Sequence, residues 1–266
     1  MRNLKLKRVL QLYTALLLAF LYAPLAFIVV QSFNAAKYPG AWRGFTLEWY
    51  FELARDSEIL QAAANGLAVA VLSATLSTVL GGVAAYYFSK RGSSGAADSF
   101  FYAPIVIPEI VESVSLLMLY YSAGVELGFW TVLVGHTAYN VSYAYVALKP
   151  QFKVTSRSVE DAAYTLGARP FDVFVRVYFP MALPGIVASL LITFAMSFDD
   201  FVKTAFTTGP GFKTLPLVIW ARAARGRATT ELNALASLMI LVSLAASYVY
   251  SRQVLLAKKE RFTGGS

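Results

Sequence analysis

The chain has 266 residues, 58% hydrophobic and 14% charged, with 23 Lys and Arg against 15 Asp and Glu for a net charge of +8. A soluble domain carries roughly 25% charged residues, so this composition places the chain in a membrane. With no cysteine and one histidine, His136, it excludes disulfides, thiolate metal sites and any centre that needs several histidines.

Arg2, Lys5, Lys7 and Arg8 open the chain and lead into an apolar span at 9–30, interrupted by Pro24. The span is too long for a signal-peptide core and lacks a small-residue cleavage site, so it reads as an uncleaved first span. Further spans follow at 59–89, 98–123, 127–148, 177–206 and 232–251. Each reaches the ~20 residues that a helix needs to cross a bilayer, and the alternating pattern of a β-barrel strand is missing. The expected fold class is an all-α membrane protein: one domain over 1–266, with six transmembrane helices. Gly264, Gly265 and Ser266 read as a linker scar or frayed tail.

Basic residues set the orientation. Lys90 and Arg91 follow the second span, Lys149, Lys153, Arg157, Arg169 and Arg176 lie between the fourth and fifth, and Arg252, Lys258, Lys259 and Arg261 follow the sixth. With six spans these fall on one side together with the N-terminus, and the positive-inside rule makes that side the cytoplasm. Both termini are then cytoplasmic. The other side receives outer loops at 33–58 and 207–231. The second of these is an exception, because Lys213, Arg222, Arg225 and Arg227 sit there. Its apolar stretch 214–220 is too short to span and is expected to dip back against protein.

The 150–176 loop separates two apolar spans with a pattern of its own. Asp161, Ala162 and Ala163 are followed after three residues by Gly167, and after nine more by Val177, Tyr178, Phe179 and Pro180. The alanines give a helix face that allows close approach, Gly167 permits a turn with positive φ, and Pro180 is expected to start the next helix. On the basic side of a membrane such a segment is a docking surface for a soluble partner.

This spacing resembles the EAA loop of ABC-transporter permeases, with Asp161 in place of the usual Glu. Further blocks in the same order are similar to the C-type permeases of spermidine/putrescine importers. They are 32–34, 42–50, 127–130, 197–200, 208–211, 214–217 and 231–235. The resemblance implies a type I importer fold in the cell membrane of a bacterium or archaeon. It implies two six-span permeases, the second a related chain or a copy of this one, two ATP-binding subunits, and an extracytoplasmic binding protein. ATP and Mg would be used by the partner ATPase, with no cofactor in this chain. The coupling residues would be Glu160, Asp161, Ala162, Ala163, Gly167 and Pro180. Trp49, Glu109, Ser197, Asp199 and Asp200 match positions tied to substrate passage.

The residues of the spans add to this. Glu109 and Glu112 lie three apart on one helix face, after Pro104 and Pro108, where the helix is expected to kink or restart. Asp199 and Asp200 are adjacent and face different ways. A charge in hydrocarbon costs at least ~2.5 kcal/mol, so these acids are functional candidates suited to a polyvalent cation. Lys203 departs from the resembled permeases, which carry an apolar residue there. It either pairs with Asp199 at i+4 or snorkels to the outer interface. Trp42, Trp49, Tyr50, Phe51, Trp130 and Trp220 lie near span ends as interfacial aromatics, with Trp49 also placed to hold a cation on its ring. His136 reads as a hydrogen-bonded structural residue.

No phosphate-binding Gly-rich loop with Lys is present, so the chain is not expected to hydrolyse ATP. Adjacent Asp199 and Asp200 do not form the paired-aspartate site of a protease, and no catalytic or metal set emerges. Within the importer reading the solute stays open between a polyamine and another small solute or ion. A secondary transporter is the alternative outside it, since that class also uses intramembrane acids but has no need of the 150–180 pattern.

Overall fold

In the computed structural model, residues 2–92, 95–154, 157–226 and 229–263 are described. Among them the regular structure is helical, apart from an isolated antiparallel bridge between Asn34 and Phe45. In chain order the helices are α1 (Arg2–Gln31), α2 (Glu48–Leu53), α3 (Ser57–Arg91), α4 (Gly95–Val106), α5 (Glu109–Ser122) and α6 (Phe129–Val154). They continue with α7 (Arg157–Thr165), α8 (Pro170–Val173), α9 (Phe179–Phe198), α10 (Val202–Thr207), α11 (Leu215–Ala224) and α12 (Thr230–Thr263). A π-helical turn, Phe174–Tyr178, joins α8 to α9, so Pro170–Phe198 is one helix.

Four helices are long and apolar enough to cross a bilayer alone: α1, α3, the α8–α9 helix and α12. The pair α4 and α5 makes a fifth only when counted together, and it is bent by 101°. The bend follows from Pro108, which takes an extended ψ of 129° ahead of α5. Proline has no N–H to continue α4 and disfavours helical geometry in the residue before it. The stretch expected as one span at 98–123 is therefore two helices.

Two other expectations shift. The helix at 129–154 has the length to span, but it carries His136, Asn140, Ser142 and Lys149, all buried. Its polar groups point into protein, which is where a membrane helix tolerates them. The fifth span, expected at 177–206, begins at Pro170 and ends at Phe198. Pro170 takes the first helical position, where its missing N–H costs nothing. Pro180 lies in the first turn of α9, as expected, but α9 has no free start there because the π-turn runs into it. The turn before Pro180 widens so that the Phe179 N–H bonds back to Phe174. That wider turn accommodates the hydrogen bond and the space that a proline ring takes from the preceding turn.

Packing groups the chain into two compact units, 1–60 with 218–242 and 61–217 with 243–266. The first is organised by Asn34, which is fully buried. Its Nδ2 donates to Gln31 Oε1 and the Ala41 carbonyl, and its Oδ1 accepts from the Ala36 and Arg43 amides. One side chain thus ties a whole loop to the end of α1. Phe33 stacks on Phe45 below it, with ring centroids 5.4 Å apart. The Thr230 hydroxyl and amide fasten the start of α12 to the carbonyls of Ala36 and Lys37.

The second unit is built around α6, which packs along α9 and α4. Ala85, Tyr145, Leu148, Phe152, Val173, Tyr178 and Ala182 form its buried core. At Gly81 a Cβ would come within 2.7 Å of the Ala144 Cβ and 2.8 Å of the Val141 carbonyl. The α3 and α6 backbones therefore touch directly, the close approach that small residues allow between membrane helices. In the same unit α5 packs on α10, and α10 on α6. Those two contacts position the charged cluster described next.

Candidate functional site

Two regions carry the residues singled out by the sequence. The first is the segment from α7 to α8. Its geometry comes from Gly167, with φ of +83°. The Ala168 amide bonds to the Ala163 carbonyl and the Gly167 amide to that of Tyr164. This pair of bonds is the Schellman motif, and the left-handed conformation it needs is open to glycine at little cost. Pro170 then opens α8, with the Asp172 carboxylate accepting from the Arg169 amide.

The motif separates the coupling candidates into two groups. Asp161, Ala162 and Gly167 are exposed. Glu160 and Ala163 face inward: Glu160 ion-pairs with Lys90 and accepts from the Tyr178 hydroxyl at 2.8 Å, while Ala163 packs on the core. The Lys90 ammonium also lies 3.9 Å from the Tyr178 ring centroid. Pro180 lies in the α8–α9 helix instead. Around the exposed group, Leu166 is 88% exposed and Phe171 75%, with Val159 and Tyr164 beside them in the sequence and also open. Apolar side chains on an otherwise polar segment mark a contact surface. The motif spacing did not single out Leu166 or Phe171, which only the turn geometry turns outward.

The second region is a buried charged cluster. Lys203 on α10 is 1% exposed. Its Nζ lies 3.0 Å from Glu109 Oε1, 3.5 Å from Glu112 Oε2 and 3.8 Å from Asp200 Oδ2. It also sits 3.6 Å from the ring centroid of Tyr139, whose hydroxyl is hydrogen-bonded to that of Tyr143 at 2.9 Å. Lys203 therefore neither snorkels nor pairs with Asp199. Asp200 is buried and its Oδ1 accepts from the Thr204 amide at 2.9 Å, starting α10. It lies 3.4 Å from His136 Nε2, and His136 Nδ1 is 2.7 Å from the Ser197 hydroxyl. Ser197, His136, Asp200, Lys203, Glu109 and Glu112 thus form one connected chain of polar groups.

Asp199 stands apart. The helix ends at Phe198, and the adjacent acids diverge: Asp199 is exposed and accepts from Ser243 on α12 at 3.1 Å. Trp49 is in the first unit, buried, with its Nε1 donating to the Asn34 carbonyl at 2.8 Å. Its ring is part of the packing there. His136, as expected, is a hydrogen-bonded residue, but its partners make it the link between Ser197 and Asp200. Tyr139 escaped sequence reading, although its place three residues after His136 puts the two on one face of α6.

Arg222, from the basic cluster of 207–231, is also accounted for. Arg222 donates to Asp56 at 2.6 Å, Glu58 at 3.0 Å and Glu231 at 3.0 Å. Burial alone would raise the Asp56 carboxyl. The Arg222 hydrogen bond and charge, with the Ile59 and Glu58 amides, outweigh that and hold it below its ordinary 3.8. Arg225 is exposed, and Arg227 lies outside the described residues. Among the described residues no group of three or more His, Cys, Asp or Glu is placed to hold a metal ion.

Residues 77–259 match the family described as "Binding-protein-dependent transport system inner membrane component". The chain is 34% identical over 250 residues to the spermidine/putrescine transport system permease protein PotC of Shigella flexneri, covering 93% of each. It is 33% identical to the putrescine transport system permease protein PotI of Escherichia coli K12, covering 91% of this chain and 89% of that protein. A chain of a bacterial ABC transporter that imports the acidic polysaccharide alginate has the same fold. Its TM-score is 0.69 at 16% identity, covering 97% of this chain and 99% of that one. A chain of the MetNI methionine ABC transporter aligns with a TM-score of 0.58 at 19% identity, covering 80% of this chain and 99% of that one.

Proposed function

The chain belongs to the binding-protein-dependent transport inner-membrane family, and from that premise we propose that it forms half of the pathway of an ATP-driven polyamine importer. As a member of that family it is a transport subunit and not an enzyme. The observation that carries the polyamine reading is the extent of the likeness to spermidine/putrescine permeases, 34% identity across 93% of both chains. Acids clustered beside an aromatic face support it, since that chemistry receives ammonium groups.

In this reading six helical segments cross the cell membrane: α1, α3, the bent α4–α5 pair, α6, the α8–α9 helix and α12. Both termini and the 150–176 segment are cytoplasmic. A dimer of ATP-binding subunits, which uses ATP and Mg, docks on the α7–α8 segment through Asp161, Ala162, Leu166, Gly167 and Phe171. Glu160 and Pro180 act from behind that surface by holding the segment against α9. A second permease, a related chain or another copy, completes the pathway, and an extracytoplasmic binding protein delivers the solute. Glu109, Glu112, Ser197 and Asp200 line the route, with Asp199 and Trp49 at its margins.

One observation favours a second reading within the same class. Lys203 already neutralises part of the acid cluster, which suits a solute of lower charge than spermidine. Co-purification and uptake separate these readings. Leu166→Asp and Phe171→Asp should lose the ATPase while inserting normally, because neither side chain supports the fold. Retention of the ATPase by both would sink the docking assignment. Uptake of putrescine and spermidine in proteoliposomes, set against monoamines, tests the solute. Uptake of monoamines alone would replace the polyamine reading by the second one.

A further inference from the structure

We propose that Lys203 is a specificity-determining residue of this pathway: its ammonium occupies the position where a substrate ammonium binds, and a substrate must displace it. The inference rests on the amine-import reading above and adds to it the occupant of the site. A lysine side chain is an alkylammonium on a four-carbon stem. Its Nζ is held as a free amine would be, with Glu109 at 3.0 Å, Glu112 at 3.5 Å and Asp200 at 3.8 Å around it. The Tyr139 face closes the remaining side at 3.6 Å, and Tyr143 fixes that ring through its hydroxyl. Carboxylates and an aromatic face together are the chemistry that recognises an alkylammonium.

The surroundings supply both an entrance and spare capacity. Lys203 itself is 1% exposed, but the Glu109 side chain is 42% exposed, so the cluster opens at Glu109. Glu112 Oε2 is buried and meets the Lys203 ammonium only loosely, at 3.5 Å. An incoming ammonium can pair first with Glu109 and then take Glu112 and the ring as Lys203 withdraws. His136 keeps Asp200 in place throughout, from Nε2 at 3.4 Å, and the Thr204 amide holds its Oδ1. Lys203 then sets a threshold: a solute that offers one or more primary ammonium groups exchanges with it, and a neutral or anionic solute does not.

The experiment is chemical rescue in the assembled importer. Lys203→Met removes the ammonium and keeps the stem. Lys203→Met/Glu112→Gln removes it with one balancing carboxylate, so that a folded variant is available even if the single change does not assemble. Thermal unfolding is followed with n-propylammonium, n-propanol or sodium ion added. n-Propylammonium should raise the unfolding temperature of either variant by roughly 2–4 °C more than that of the unmodified protein. n-Propanol and sodium ion should show no such difference. If n-propylammonium stabilises the variants no more than the unmodified protein, Lys203 is a structural counter-ion and the proposal fails. Putrescine uptake by the unmodified importer is measured in parallel. Rescue without uptake sinks the polyamine reading alone, and uptake without rescue sinks this proposal alone.

Discussion

Arg222 and Lys203 each hold three carboxylates, but in different surroundings. Arg222 is 20% exposed, between the end of the first loop, α11 and α12, and its planar guanidinium reaches Asp56, Glu58 and Glu231 at 2.6–3.0 Å. Lys203 is 1% exposed and meets its acids at 3.0–3.8 Å. Water reaches the guanidinium in the first network, whereas in the second it reaches Glu109 but not the ammonium. Exposed ion pairs contribute about 0–1 kcal/mol each, whereas removing one partner of a buried pair costs about 3–5 kcal/mol. The same count of charges thus fastens a loop in one place and sets a demanding electrostatic balance in the other.

That contrast can be broken experimentally. Lys203→Met should have the largest effect, a loss of about 3–5 kcal/mol in unfolding measurements on the assembled importer. Lys203→Met/Glu112→Gln should recover much of it. A single variant as stable as the parent would mean that the acids are not charged around Lys203. Asp200→Asn comes next, with about 1–3 kcal/mol lost because it weakens the start of α10 and one face of the cluster. It should also lower polyamine uptake, while Asp199→Asn, bonded only to Ser243 in this cluster of contacts, leaves stability nearly unchanged. Equal effects of the two changes would erase the distinction drawn between them.

Arg222→Gln should cost about 1 kcal/mol, and less at high salt, where screening has already weakened the network. Salt-independent loss would place Arg222 with Lys203 in kind. The smallest effect is on pH dependence. Asp56 has a folded pKa below its ordinary 3.8, so its contribution is complete above that value and is lost as pH falls through the lowered one. Unfolding temperature followed downward from about pH 5 should therefore fall less steeply in Arg222→Gln than in the parent. Parallel curves would count against the Arg222 contact as its cause.

The sequence carried the class of protein and the outline of the spans, because long apolar segments and flanking charges are local signals. It also carried the turn at Gly167, since a helix ending in a left-handed glycine leaves its mark within one segment. Four things were not legible. The bend at Pro108 was foreseen as a break, but its 101° angle depends on packing. Pro180 marks the first turn of α9, but the π-turn that joins it to α8 leaves no signal in the spacing. Chain spacing pairs Lys203 with Asp199, four residues before it. The contact is instead made across helices, by α5 packing on α10, and no spacing rule reports such a pairing. The exposure of Leu166 and Phe171 is illegible for the same reason: it is decided by the fold around them.

The π-turn at 174–178 acts as a phase element. A π-turn takes up one residue more than an α-turn over the same rise, and one residue corresponds to about 100° of helical rotation. The helix from Pro170 to Phe198 therefore carries two faces that are offset from each other by that one residue. On one side of the offset lie Phe171 and the α7–α8 junction, and on the other lie Ser189, Thr193 and Ser197, all buried. The register between the exposed α7–α8 surface and the buried polar face of α9 is stored in a single inserted residue, directly ahead of Pro180.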